Sequence, residues 1–165
     1  MTATHRLALP FIMAGQAQKE ITHNEALTLL DMAVCASAES VGDNSPPPTP
    51  EVGQSWVVGT LPGGTWAGKA NCIATWTENG WRFLQPFQAL VVWVLGDSMF
   101  ARWDGANWEM GIVTANAVQI NGEQVIGTRQ PSIARPSGGL AVDAEARAAI
   151  ENILDALESH GLIQV

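Results

Sequence analysis

Trp66, Trp76 and Trp81 are spaced by 10 and 5 residues, and Trp93, Trp103 and Trp108 repeat that spacing 27 residues further on. In each copy the second Trp ends a short apolar run, Ile73-Ala74-Thr75-Trp76 or Phe100-Ala101-Arg102-Trp103. Four turn-forming residues, T-E-N-G or D-G-A-N, then lead to the third Trp. A strand sends its side chains alternately to two faces, so a Trp on either side of a tight turn becomes an aromatic pair across a hairpin. The pattern therefore reads as a duplicated small β unit with a W-turn-W hairpin in each copy. Residues 52–113 as a whole alternate short apolar runs (SWVVG, NCIATW, WRFL, ALVVWVL, MFARW, WEMGIV) with turn residues. Asn79-Gly80 predicts a type I′ turn, which needs positive φ at both central residues.

The flanks have a different rhythm. Residues 1–20, with Pro10 and Gly15, read as an extended arm. Thr22 and Glu25 form a T-x-x-E capping box with Ile21 before it, and Ala26, Leu27, Leu30, Ala33 and Val34 recur at helical spacing. This predicts a helix over 23–33; the VCASAES that follows either extends it or becomes a strand. GDNSPPPTP carries Pro46, Pro47, Pro48 and Pro50, which suits a stiff polyproline-type connector or a long surface loop. ANAVQINGEQVIG predicts two short strands around Asn121-Gly122, and TRQPSIARPSGG an extended linker. A last helix of about 16 residues starts from Asp143 as N-cap and stops at Gly161. Its Ala146, Ile150, Ile153, Leu157 and His160 keep the spacing of a coiled-coil seam, and the β-branched pair Ile150 and Ile153 leans toward a trimer. The expected fold class is α+β. Residues 1–41 are an N-terminal arm and attachment helix, 42–51 a Pro-rich connector, and 52–127 a small Trp-rich antiparallel β domain. Residues 128–165 are a linker and C-terminal oligomerisation helix.

Charge and motif content narrow the function. The chain has 8 basic and 16 acidic residues, net charge −8, and its basic residues are scattered, so no stripe exists to follow a phosphate backbone. No apolar run approaches the length that crosses a bilayer, and MTATHRLALP lacks the apolar centre of a secretory signal, so assembly in the cytoplasm is expected. His5, His23 and His160 lie far apart, and Cys35 and Cys72 lack metal-ligand spacing; whether the two cysteines pair stays open. Two of Asp97, Asp104 and Glu109 could supply an acid pair for glycoside cleavage, but Asp97 and Asp104 sit in turn sequences where Asp is common for local reasons. No enzyme, metal site or cofactor is expected. The indoles offer binding instead. Trp56, Trp93 and Trp103 lie inside apolar runs and are expected in the core. Trp66, Trp81 and Trp108 stand beside glycine and polar turn residues, where an exposed indole face could stack on a sugar ring. Gln16, Gln18 and Asn24 form a polar set suited to docking on another protein.

Three segments carry a resemblance. LPFIMAGQAQKEITHNEALTLLD (9–31) resembles the opening of a phage-associated family known only as domain of unknown function 2793. GTWAGKANCIATWTENGWRFLQP (64–86) and WDGANW (103–108) resemble its body, and 126–163 is similar to a C-terminal segment common in virion proteins. The family has no established catalytic residues. Its occurrence in phages, prophages and gene transfer agents implies a structural virion protein, foremost a tail fibre or tail-tip appendage. A head spike or decoration protein, or a carbohydrate-binding module, is the alternative. The implied partners are other virion proteins, further copies in a homotrimer, and host surface polysaccharide, with no nucleic acid and no membrane insertion.

Overall fold

A computed structural model describes residues 3–4, 11–12, 14–15, 19–138 and 143–164. The protein is α+β. Helix α1 spans Lys19–Ala33, followed by β1 (Ser37–Ala38), β2 (Val41–Asp43), β3 (Ser55–Val58) and a 3₁₀ turn at Gly64–Trp66. Then come β4 (Ile73–Thr77), β5 (Gly80–Leu84), β6 (Val91–Val94), β7 (Met99–Trp103), β8 (Trp108–Met110), β9 (Val118–Ile120), β10 (Glu123–Ile126) and α2 (Ala144–Ser159). Contacts divide the chain into two units, the first ending at Ile112 and the second starting at Val113. The β9–β10 hairpin therefore belongs with α2, not with the Trp-rich sheets as the expected 52–127 boundary had it.

The first unit holds two four-stranded sheets built on one plan. The first sheet has the order β2-β3-β4-β5 and the second β1-β6-β7-β8. In each, a short strand runs parallel to the next, and the remaining pairs are antiparallel. The hairpins match residue for residue: Trp76 lies opposite Trp81, and Trp103 opposite Trp108. The strand before each hairpin is aligned differently from the Trp spacing. Val57 pairs with Ile73, and Trp93 pairs with Phe100, so Trp93 occupies the place of Val57. Trp66 has no counterpart, because it rides on the long connection between β3 and β4 that is a tight turn in the second copy. Two members of each Trp triplet are equivalent and the third is not.

The two sheets stack in one direction. The Val57–Ile73–Leu84 face of the first sheet packs on the Val92–Trp103–Trp108 face of the second, and Met32, Ala36, Ala38 and Leu90 complete that core. The opposite face of the first sheet carries Trp56, Val58 and Ala74, with Trp76, Trp81 and Phe83 beside them, and Trp66 closes it. Both faces of the first sheet are thus buried, which is why β3 is buried at every position.

Several expectations change here. Helix α1 begins at Lys19, so Thr22 is already inside it and no capping box forms; Glu25 instead pairs with Arg82 at 3.1 Å. Within VCASAES the helix does not continue, and Ser37–Ala38 form β1. Residues 1–41 are not a separate attachment module, because Met32, Ala36 and Ala38 are core residues and β1 is part of the second sheet. The Pro-rich segment is not a spacer between bodies. It follows β2 along the first sheet, with Gly59 and Gly63 amides donating to Asp43 and Asn44 carbonyls and the Leu61 amide donating to Asn44 Oδ1. A Cβ at position 59 would lie 2.4 Å from the Gly42 carbonyl oxygen, so only glycine lets the two strands approach there. Asn79-Gly80 is not a type I′ turn: Gly80 has φ +90°, while Asn79 is absent from the residues with positive φ. The type I′ signature is met instead at Asn121 (φ 52°) and Gly122 (φ 82°), between β9 and β10. Cys35 and Cys72 are both free thiols.

The second unit is thinly packed. Helix α2 has the expected ends: Asp143 Oδ1 accepts the Ala146 amide at 2.8 Å, and Gly161 (φ 70°) follows the helix with the Leu162 amide donating to the Leu157 carbonyl. The linker returns along the helix. Gln130 bridges to Ile163, and Arg135 reaches Asp155 at 2.7 Å and Glu158 at 3.0 Å, which holds its guanidinium above its ordinary pKa. Leu154 and Ile163 are the buried apolar residues of this unit among those described.

Candidate functional site

Within the motif-bearing N-terminal stretch, Asn24 clasps Ile12. Asn24 accepts the Ile12 amide at 2.9 Å and donates to the Ile12 carbonyl at 3.3 Å, so its amide satisfies both backbone groups of one residue. Thr4 donates to the buried Asp31 at 3.1 Å. Asn24, expected as a docking contact, is committed inside the chain; Gln16 and Gln18 lie outside the described residues.

A groove of about 570 Å³ runs between α1 and the β4–β5 hairpin. Thr75, Thr77 and Arg82 form its sheet side, and Asn24, Glu25, Thr28 and Asp31 its helix side. These groups already serve the fold. Arg82 Nε donates to Glu25, Thr75 shares a 2.7 Å hydroxyl contact with Ser55, and Thr77 donates to the Gly80 carbonyl. Among the described residues no group of three His, Cys, Asp or Glu side chains is placed to hold a metal ion.

The glycan candidates have packing roles. Trp66 is fully buried, with its ring 5.1 Å from that of Trp81 and 6.4 Å from that of Trp56, so no sugar reaches it. Flanking glycines leave exposure open in the sequence; in the structure Gly64 belongs to the turn that carries Trp66 into the interior. Trp81 is half-buried and meets Trp56, Trp66 and Trp76 edge-on. Trp108 is half-buried, its indole N–H donating to the Asn71 carbonyl at 2.9 Å.

The exposed aromatic surface is elsewhere. Trp93 is 36% and Phe100 53% exposed, their rings edge to face at 4.7 Å on the outer side of the second sheet. Val91 shares that face, and Arg102 pairs there with Glu109 at 2.5 Å. Trp93 was expected in the core from its apolar neighbours Val92 and Val94. Those two are fully buried, and strand alternation turns Trp93 the other way.

The candidate acid pair is taken up locally. Asp104 accepts the Asn107 and Ala106 amides at 2.7 Å each, and these bonds hold its carboxyl below the ordinary carboxylate pKa. Since the folded value is the lower one, the turn's contribution is present above the unfolded pKa and fades as pH falls through the folded one. A carboxyl carbon titration followed by NMR is expected to show Asp104 with a midpoint below that of a model aspartate; a midpoint at or above it would contradict the turn geometry. Burial pushes the Cys72 thiol up, with Lys69 pulling weakly the other way.

A family model described as "Protein of unknown function (DUF2793)" matches residues 23–109, more than half of the chain. The chain belongs to the DUF2793 family. The DUF2793 segment begins inside α1 and ends in β8, so it covers both repeats and the helix that packs with them. The exposed Trp93–Phe100 pair and Asn24 lie within the DUF2793 segment, while Ile12, the clasp's other half, precedes it and α2 lies beyond it. No curated protein matches the chain.

Proposed function

We propose that this protein is a structural component of a virion, a tail fibre or tail-tip appendage of a phage or gene transfer agent, assembled in the host cytoplasm as a homotrimer. The virion assignment rests on the resemblance of segments 9–31, 64–86 and 103–108 to phage-associated proteins. The structural observation that carries an assembly role is the apolar surface left open. In the second unit Ile150 and Ile153 of α2 are 45% and 59% exposed, and Val118, Ile120, Val125 and Ile126 of the hairpin are exposed as well. Scattered exposed apolar residues need no explanation, but a small unit that exposes most of its branched apolar side chains is built to be covered. The seam residues Ala146, Ile150 and Ile153 are exposed and Leu157 half-buried, while Leu154 is buried; the seam is therefore available for a neighbour.

Two measurements test the proposal. Purified particles should contain the chain by mass spectrometry, and purified chain should scatter light as three times 17.5 kDa. Ile153→Asp is expected to shift it toward monomer at micromolar concentration. A wild-type monomer would overturn the trimer, and particles free of the chain would overturn the virion role. Contact with host surface polysaccharide is kept in the proposal only for Trp81 and Trp108, each half-buried. Tryptophan quenching by host polysaccharide should weaken in Trp81→Ala and Trp108→Ala; quenching unaltered in both would remove this part.

A further inference from the structure

Asn-Gly occurs twice in the chain, at 79–80 and at 121–122, and each pair sits at the tip of a hairpin with its asparagine exposed. An asparagine before glycine can close on itself. The backbone nitrogen of the next residue attacks the side-chain amide carbon, and glycine puts no Cβ in the way. The two turns hold that nitrogen differently. In the first hairpin Thr77 pairs with Gly80, so Asn79 is the third residue of the turn. The nitrogen that follows it belongs to the fourth, the residue whose amide closes a four-residue turn against the first carbonyl. Asn79 is also held on both sides: its amide donates to Thr77 Oγ1 at 3.2 Å, and its carbonyl accepts Arg82 at 3.3 Å. In the second hairpin Ile120 pairs with Glu123, so Asn121 is the second residue and Gly122 the third. The Gly122 nitrogen takes no part in closing that turn.

We infer that Asn121 is a self-modification site, converted with water to aspartate and isoaspartate while the turn at Asn79 preserves that residue. The Gly122 nitrogen bonds to the Asn121 side-chain carbon and hands its proton, through solvent, to the departing side-chain nitrogen. The carbon–nitrogen bond of the side-chain amide breaks and ammonia leaves. Water then opens the five-membered succinimide at one carbonyl or the other, giving aspartate or isoaspartate. One water enters, one ammonia departs, and nothing is oxidised or reduced. Ring closure needs rotation about the Asn121 backbone, and the surroundings oppose it little. Strands β9 and β10 form a two-stranded sheet with every strand residue exposed, a marginal structure that opens readily. A Cβ built on Gly122 would meet nothing within 4 Å. Strands β4 and β5 belong instead to a four-stranded sheet with Trp76, Trp81 and Phe83 packed on its core. Conversion at position 121 adds a negative charge to a chain already at −8. Isoaspartate also lengthens the main chain by one carbon inside a two-residue turn, and turn length sets the register of Val118 and Ile120 against β10. The change is one-way, is confined to the second unit, and is independent of the virion reading.

The test uses full-length chain, kept folded in mildly alkaline buffer, digested at intervals and its peptides weighed. The peptide carrying Asn121 is expected to gain the mass of an amide-to-acid exchange and to separate into two species of equal mass, aspartate and isoaspartate. It should do so about tenfold or more faster than the peptide carrying Asn79, whose reaction waits on the opening of a packed sheet. In urea the two rates should converge, because each site is then an open Asn-Gly. Asn121→Gly supplies a residue that the same turn accepts and should abolish the shift of that peptide. Equal rates at the two sites in folded chain would overturn the inference. So would an Asn121 peptide that stays unchanged in folded chain while it converts in urea. A rate difference that persists in urea would also overturn it, since flanking residues and not the two turns would then set the rates.

Discussion

Deletion of residues 1–40 will unfold the body that ends at Ile112. Met32 is 1%, Ala36 7% and Ala38 1% exposed, and all three sit between the two sheets. Truncating one buried methionine to alanine costs about 2–5 kcal/mol. The deletion removes that side chain whole, empties the alanine positions, and strips β6 of its parallel partner β1, leaving the Trp93 and Leu95 amides without the Ala36 and Ala38 carbonyls that accept them. It also removes Glu25 from Arg82 and uncovers Leu29's side of the core. Small domains are stable by roughly 5–15 kcal/mol in total, so losses of this size are not survivable. Circular dichroism and urea unfolding of the truncated chain should show no cooperative transition. A truncated chain that unfolds cooperatively at the wild-type midpoint would restore the detachable-arm reading.

Trp66→Ala is expected to be the most damaging single substitution outside that helix. The side chain has no exposed surface and is the closing element over Trp56 and Trp81. Truncation of a buried Trp costs about 3–5 kcal/mol. Trp66→Phe should cost clearly less. The Trp66 indole N–H is buried with no hydrogen-bond partner among the described residues, so the phenyl ring removes an unsatisfied donor along with some volume. Equilibrium urea unfolding orders the three proteins as wild type, then Trp66→Phe, then Trp66→Ala. A Trp66→Ala chain within 1 kcal/mol of wild type, a margin set by ordinary surface substitutions of about 0.5 kcal/mol, would mean that the turn is not a lid.

What was legible in the sequence, and what was not, divides along the range of the forces involved. The hairpins were legible because a Trp on each side of a short turn is a local pattern, and Trp76–Trp81 and Trp103–Trp108 are indeed cross-strand pairs. Helix α2 was legible because its caps are local: Asp143 bonds the Ala146 amide, and Gly161 takes positive φ. The failures are tertiary. Glycines around Trp66 read as exposure, yet turn geometry and indole exposure are independent, and the turn delivers the ring into the interior. Trp93 sits between two buried valines, and strand alternation decides its side. Asn24 reads as a docking residue because it belongs to a polar set with Gln16 and Gln18; its partner is Ile12, brought close by the fold. T-x-x-E at Thr22 is a helix-start pattern that a helix already under way from Lys19 overrides. The stacking direction of the two sheets was not legible, because equivalent sequence positions are buried in one copy and open in the other.

The central claim is that this chain is built into a virion and shows on its surface. Phage or gene-transfer-agent particles from producing cells, labelled with gold-conjugated antibody to the chain and viewed by electron microscopy, test it most directly. The account predicts gold at the tail or tail tip of particles, and none on particles from cells lacking the coding sequence. Gold confined to free protein, with intact particles unlabelled and still normal in form and adsorption when the chain is absent, would contradict it.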